Sequence, residues 1–249
     1  MNFLIGIISG VFGGLVGLGG GVLMVPLMVG IKKLGQHKAH GTSLVAVVFT
    51  GIVGATVYAV YNAVDIWASV VLSVAALWPA RCGAKYCSGM PEIKLKRAFG
   101  IFLIFVSIFI LLKPYLPLLP HPGMSISKIF ILIITGITTG FVSGLMGVGG
   151  GPIMIVGMVL LAGFDQHTAQ GSSLLAMVPL GAVGAFTHWR LGNVATELLD
   201  GLILGIIFGT YIGGSFAHVL PEYILRIIFA AVLIWTGSRY VKSPVPSCE

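Results

Sequence analysis

Long apolar runs, interrupted by glycine, set the pattern of this chain. An apolar stretch over residues 3–16 meets a glycine tract at 17–21, and a second apolar stretch follows to about 31. Three further apolar segments lie near 42–60, 66–86 and 97–112. The order then recurs, with pieces at about 128–146, 147–151 and 152–163, and segments near 172–188, 197–217 and 223–241. About 20 apolar residues cross a hydrocarbon core, so the longer segments read as membrane spans. A helix of about 14 residues rises only about 21 Å, short of a core roughly 30 Å thick. The first stretch therefore reads as one arm of a broken segment.

The recurrence is a duplication at an offset of 130 residues. GVFGGLVGLGGG at 10–21 matches GFVSGLMGVGGG at 140–151, and QHKAHGTSLVA at 36–46 matches QHTAQGSSLLA at 166–176. Gly51, Gly54 and Ala55 match Gly181, Gly184 and Ala185; further on, Gly83 matches Gly213, Leu95 matches Leu225 and Phe99 matches Phe229. Glycine-rich composition inflates such agreement, but it does not produce the repeated Gln-His pair. The halves are expected at 1–119 and 128–249, joined by a linker at 120–127. The joint lies within the proline run that holds Pro114, Pro117, Pro120 and Pro122, a density that no helix continues through.

Composition settles the environment. Of 249 residues, 57% are apolar, 8% charged and 36 glycine, and the mean hydropathy is +1.06. A soluble domain is about 25% charged, so a water-soluble enzyme and a disordered chain are both excluded. The expected fold is an all-α polytopic membrane protein of two tandem homologous halves, each a Gly-broken helical hairpin plus three spans. The opening Met1, Asn2 and Phe3 lack the basic start of a signal peptide and read as the first membrane segment. A net charge of +7 sits in loops between spans, which points to membrane topology and to no nucleic-acid partner.

Charge counting bears on the orientation of the halves. A broken segment that enters and leaves on one side gives inverted halves. With both termini cytoplasmic, it then puts Lys32, Lys33, Lys38, Arg81, Lys85, Lys94, Lys96, Arg97, Arg190, Arg239 and Lys242 inside. Only Lys113, Lys128 and Arg226 fall outside. A single crossing gives parallel halves and a more even split, so the positive-inside bias favours inverted-topology repeats.

Candidate chemistry concentrates at the breaks. Gly19, Gly20 and Gly21, with Gly149, Gly150 and Gly151, interrupt apolar helices at membrane depth, where irregular backbone must be buried in protein or line a wet cavity. The helix that restarts after each tract offers unpaired N–H groups, which suit an anion. Close helix packing on small residues is the competing explanation. Thr42 and Ser43, with Ser172 and Ser173, precede apolar runs and fit N-caps or donors to an oxyanion. His37 and His167 are coupling candidates by residue type, histidine being the side chain suited to carrying protons, or they bond a loop carbonyl. Arg81 either snorkels to the interface or contacts an anion. Cys82, Cys87 and Cys248 show no metal-ligand spacing. No metal, no cofactor and no enzymatic motif is expected.

At the duplicated glycine tracts, Pro26 and the Gly41-Thr42-Ser43 and Gly171-Ser172-Ser173 triplets, the chain resembles the sulfite exporter TauE/SafE family of membrane permeases. The resemblance covers nearly the whole chain; Arg81, after Pro79 and Ala80, departs from the small residues expected there. It implies a secondary transporter of small anions, sulfite or organosulfonates, in the cytoplasmic membrane. The partners it implies are the bilayer and the anion, with a second copy of the chain as an option. An anion channel, or a membrane sulfur-relay or assembly protein using Cys82 or Cys87, are the alternatives.

Overall fold

The computed structural model describes residues 1–112, 126–219 and 221–242. The proline-rich joint, with Lys113, and the tail with Cys248 lie outside these residues, as do the side chains of Lys96, Leu225, Arg226, Phe229 and Arg239. The described chain is helical. The first half runs α1 (Asn2–Val16), α2 (Gly21–Lys32), α3 (Gln36–Val60), α4 (Ile66–Ser88) and α5 (Glu92–Leu112). The second runs α6 (Ile126–Met146), α7 (Gly151–Val156), α8 (Gln166–Arg190), α9 (Leu199–Ala217) and α10 (Glu222–Val241). Most boundaries recur at the 130-residue offset. α7 continues as a π-helical turn over Gly157–Leu161, where a Cβ on Gly157 would meet Thr135 Oγ1 at 2.5 Å.

Five helical stretches among the described residues are long and apolar enough to cross a membrane: Gln36–Val60, Ile66–Ser88, Ile126–Met146, Gln166–Arg190 and Thr196–Ala217. Asn2–Val16, Gly21–Lys32 and Gly151–Leu161 are shorter. The first arm of the second half is thus longer than its counterpart α1. Large apolar side chains such as Trp67, Trp78, Phe130 and Phe208 are exposed, whereas no Lys, Arg, Asp or Glu is buried among the described residues. That distribution suits lipid as the surrounding solvent.

Helix starts differ most from the sequence expectation at α3, α8 and α5, the last of which begins at Glu92 rather than 97. α3 and α8 begin at Gln36 and Gln166, six residues before the expected 42 and 172. Gly35 and Asp165 are the N-caps, and the Asp165 carboxylate accepts the Thr168 N–H at 3.0 Å. A carboxylate cap in the loop lets the helix start earlier. Thr42, Ser43, Ser172 and Ser173 therefore stand inside their helices and cap nothing. Asp65 caps α4 in the same way, accepting the Ala68 N–H at 2.9 Å.

Packing pairs helices across the halves. α1 lies on α9 and α6 on α4, α3 crosses α8, and α5 packs on α10. Glycines make the first two contacts close. A Cβ on Gly10 would fall 2.8 Å from the Ile206 carbonyl oxygen, and one on Gly136 would fall 2.8 Å from that of Leu72. Gly83 meets Phe141, and its counterpart Gly213 meets Val11, the counterpart of Phe141. Much of the glycine excess therefore serves small-residue helix packing.

These contacts fix directions. Gly6, Gly10 and Gly14 meet Gly205, Ile206 and Gly214 in rising order, so α1 and α9 are parallel. Gly136 and Gly144 meet Leu72 and Ala80, so α4 and α6 are parallel too. Gly41 meets His188 and Asn193 while Gly171 meets Tyr58 and Ala63, so α3 and α8 are antiparallel. The Gly100–Gly237 contact, with Gly100 also on Val241 and Gly237 on Ile104, makes α5 and α10 antiparallel.

Candidate functional site at the crossed glycine breaks

Each break is held open by backbone that only glycine adopts readily. Gly17 ends α1 in the left-handed region at φ 75°, and Gly20 begins α2 at φ 72°. Gly150 begins α7 at φ 82°, with Pro152 in its first turn. Neither Gly20 nor Gly150 offers a side-chain cap, so the N–H groups that open α2 and α7 are left to the surroundings.

The two breaks touch. A Cβ on Gly21 would lie 2.8 Å from the Gly147 carbonyl oxygen and 3.0 Å from Val148 Cα. One on Gly151 would lie 2.7 Å from Leu18 Cα and 3.1 Å from the Gly17 carbonyl oxygen. Val47 of α3 and Met177 of α8 press on both breaks: Met177 Sδ is 2.7 Å from the Cβ position of Gly19 and 3.2 Å from that of Gly149. Val47 and Met177 lie near the middle of their helices. The structure brings Gly19, Gly20 and Gly21 together with Gly149, Gly150 and Gly151 at that level, in direct backbone contact.

Ser43 and Ser173 tie the opposite half to this crossing. Ser43 Oγ lies 2.6 Å from the Gly147 carbonyl oxygen and 2.8 Å from that of His40. Ser173 Oγ lies 3.0 Å from the Gly17 carbonyl oxygen and 2.8 Å from that of Gln170. Each serine thus holds the carbonyl that ends a first arm. Thr42 and Ser172 act one step further out. Thr42 Oγ1 accepts the Ala195 N–H at 2.9 Å, and Ser172 Oγ accepts the Asp65 N–H at 2.7 Å. The four hydroxyls lock α3 and α8 to the other half.

Further buried polar groups extend the clamp. His40 Nδ1 meets the Met146 carbonyl, which only accepts, so this nitrogen carries the proton. His188 Nε2 lies 3.0 Å from the Gly144 carbonyl oxygen, and the Tyr58 hydroxyl donates to that of Gly14 at 3.1 Å. Gln170 Oε1, also an acceptor, lies 3.2 Å from the same hydroxyl and shares its proton. His40 corresponds to Gln170, and Tyr58 to His188, at the repeat offset. The legible signal was polar facing polar, 130 residues apart, inside otherwise apolar spans.

The remaining candidates sit elsewhere. Arg81 is exposed on α4, next to Ala80, which is buried against Gly144. His37 Nδ1 is 3.6 Å from the Cys87 sulfur. His167 stacks on His218, with ring centroids 5.1 Å apart. His218, just past the end of α9, is held below the ordinary histidine value by partial burial and by the neighbouring His167 ring. Cys82 and Cys87 are free thiols, and Cys87 is buried. No cluster of His, Cys, Asp and Glu among the described residues could hold a metal.

An apolar exterior, at least five crossing-length helices and two broken helices that meet inside the bundle define a polytopic membrane protein of transporter type. The model of the sulfite exporter TauE/SafE family matches residues 2–240, and the chain belongs to that family of membrane transporters. It is similar to the probable membrane transporter protein YunE of Bacillus subtilis, at 26% identity over 97% of this chain and 98% of that protein. The probable membrane transporter protein YdhB of Bacillus subtilis is 28% identical over 90% and 91%. Sulfite exporter TauE/SafE family protein 5 of Arabidopsis thaliana is 33% identical over 42% of this chain and 24% of its own length. No solved structure matches.

Proposed function

We propose that this chain is a secondary transporter that moves small sulfur-containing oxyanions, sulfite or organosulfonates, across the cytoplasmic membrane. The carrying observation is that the two glycine breaks meet at mid-bundle, each opening a helix whose first N–H groups have no side-chain cap. The substrate binds where the breaks cross, on Gly19, Gly20, Gly21, Gly149, Gly150 and Gly151. Substrate sites at broken helices between repeats are a common transporter plan. The family's name and its matched span support an anion of the sulfite class.

The halves, 1–119 and 128–249, act as inverted repeats. The support is directional: the equivalent helices α3 and α8 run antiparallel, as do α5 and α10. α1 shares the direction of α9 and α6 that of α4. Each broken pair then turns back within the bundle, and Lys32, Lys33, Lys85, Lys94 and Arg190 share the cytoplasmic side with the N-terminus. Ser43 and Ser173 hold the crossing closed in this state, and their bonds exchange as the halves rock. His37 and His167, at opposite poles, are the proposed coupling residues; Arg81 acts as an interfacial anchor.

Uptake by proteoliposomes against sulfite, thiosulfate, sulfoacetate and acetate tests this. Accumulation of a sulfur oxyanion, with counterflow exchange, is expected. Flux without counterflow would make the protein a channel, and no flux of any anion would overturn the reading.

A further inference from the structure

Hydroxyls on the spans of this protein normally bond the carbonyl one turn back, as Thr50 does to Ala46, Thr56 to Ile52 and Thr187 to Val183. Among those that do not, which include Thr210 on the α1–α9 contact, Ser9, Thr139 and Ser143 stand at the breaks. All three are buried, and their hydroxyls have no hydrogen-bond partner in the described protein. A buried hydroxyl without a partner is costly, so one at the first break and two at the second call for a ligand.

The place is the crossing. Ser9 stands on α1 against Gly20, the residue that opens α2: a Cβ there would lie 2.6 Å from the Ser9 carbonyl oxygen and 3.7 Å from Ser9 Cβ. Thr139, its counterpart at the 130-residue offset, stands against Gly150, with Ser143 Cβ 3.4 Å from the same position. The donors of the two breaks also balance. In the first, the amides of Gly21 and Val22 lie in the uncapped first turn of the twelve-residue α2, and Ser9 adds one hydroxyl. In the second, Pro152 occupies the place of Val22 and has no N–H, and Ser143 occupies the place of Gly13. Two hydroxyls and the Gly151 amide replace two amides and one hydroxyl.

We propose that Ser9, Thr139 and Ser143 are substrate-binding residues, and that the site they complete selects singly charged oxyanions with three oxygens. This rests on the transporter reading above. Six neutral donors from two sides match an –SO3 group better than a carboxylate, whose two oxygens share one face. No lysine or arginine is buried among the described residues to balance a second charge, and the cost of burying an ion rises steeply with its charge. Methanesulfonate and hydrogensulfite, the singly charged form of sulfite, therefore bind, while sulfate and acetate are rejected.

The test is binding of methanesulfonate, sulfate and acetate to the whole protein in detergent, by calorimetry, for the wild type and for Ser9→Ala, Thr139→Val and Ser143→Ala. Melting temperature without ligand reports folding. Each variant removes an unpartnered hydroxyl, so each folds with undiminished stability. Each weakens methanesulfonate by about tenfold or more, the worth of a hydrogen bond to a charged group. Wild-type binding with unchanged affinity in all three variants overturns the residue assignment and leaves the transporter reading standing. Sulfate bound as tightly as methanesulfonate overturns the charge selection. Absence of binding to every anion overturns this inference and the anion reading together.

Discussion

Three glycine-to-alanine substitutions separate the two jobs that glycine has at the breaks. Gly30 lies in helical α2, and a Cβ there meets nothing within 4 Å and needs no unusual φ. Alanine at such a place stabilises a helix by about 0.5–1 kcal/mol. Gly192 has φ 71° and again nothing within 4 Å. Alanine there bears only the left-handed penalty, about 1–2 kcal/mol. Gly20 combines φ 72° with a Cβ position 2.6 Å from the Ser9 carbonyl oxygen. That oxygen belongs to a helix backbone and cannot swing aside, so overpacking adds about 1–3 kcal/mol. Gly20→Ala should cost about 2–5 kcal/mol in total, the sum of these two ranges. Melting in detergent should rank Gly30→Ala above wild type, then Gly192→Ala, then Gly20→Ala lowest. A Gly20→Ala protein that melts with or above Gly192→Ala refutes the close approach of the two arms.

Other substitutions probe the clamp, the caps and one titrating group. Ser43→Ala and Ser173→Ala each leave a buried carbonyl short of a donor, so each should lower stability by about 1–3 kcal/mol; Thr56→Ala, on an exposed face, should stay within about 0.5 kcal/mol. Asp165→Ala removes the cap on Thr168 and should cost about 1 kcal/mol, read by the same melts. His218 is depressed below its ordinary value of 6.5 by partial burial and the His167 ring. The folded protein then binds a proton there less readily than the unfolded chain. Its contribution is present above about pH 6.5 and is lost as pH falls from there through the lower folded value. Melting temperature should decline on acidification, and His218→Gln should flatten the decline.

The sequence carried the large features because they depend on composition and repetition. Apolar runs of span length need no tertiary contact to be recognised, and the 130-residue offset recurs at most helix boundaries. The breaks were legible for a physical reason as well: consecutive glycines in an apolar run are where a left-handed residue costs least. What failed was local. Thr42 and Ser172 look like caps, but Gly35 and Asp165 already supply the helix starts, and a cap is decided by a backbone turn rather than by residue type alone. The true partners of Ser43 and Ser173, the Gly147 and Gly17 carbonyls, are more than a hundred residues away. No periodicity in one helix points to them. Ser9 and Thr139 were hidden because an isolated hydroxyl in a span usually bonds its own helix, and only the structure shows that these two do not.

Backbone conformation now divides the glycine excess. Gly10, Gly14, Gly136 and Gly140 carry no positive φ; they are required for closeness, and the competing explanation of helix packing holds for them. Gly17, Gly19 and Gly20, with Gly147, Gly149 and Gly150, have φ between 66° and 82°. Packing alone would not need that, since a straight helix brings small residues together without it. A left-handed stretch ends one helix and starts another, and the new start exposes N–H groups inside the bundle. A protein that only needed to pack would bury those groups on side-chain caps, as Asp65 and Asp165 do at the starts of α4 and α8. Leaving both inner starts uncapped, beside hydroxyls that also lack partners, is costly unless something else binds there. That cost separates a binding site from a packing motif and makes the anion affinities of the Ser9 and Thr139 variants the decisive measurement.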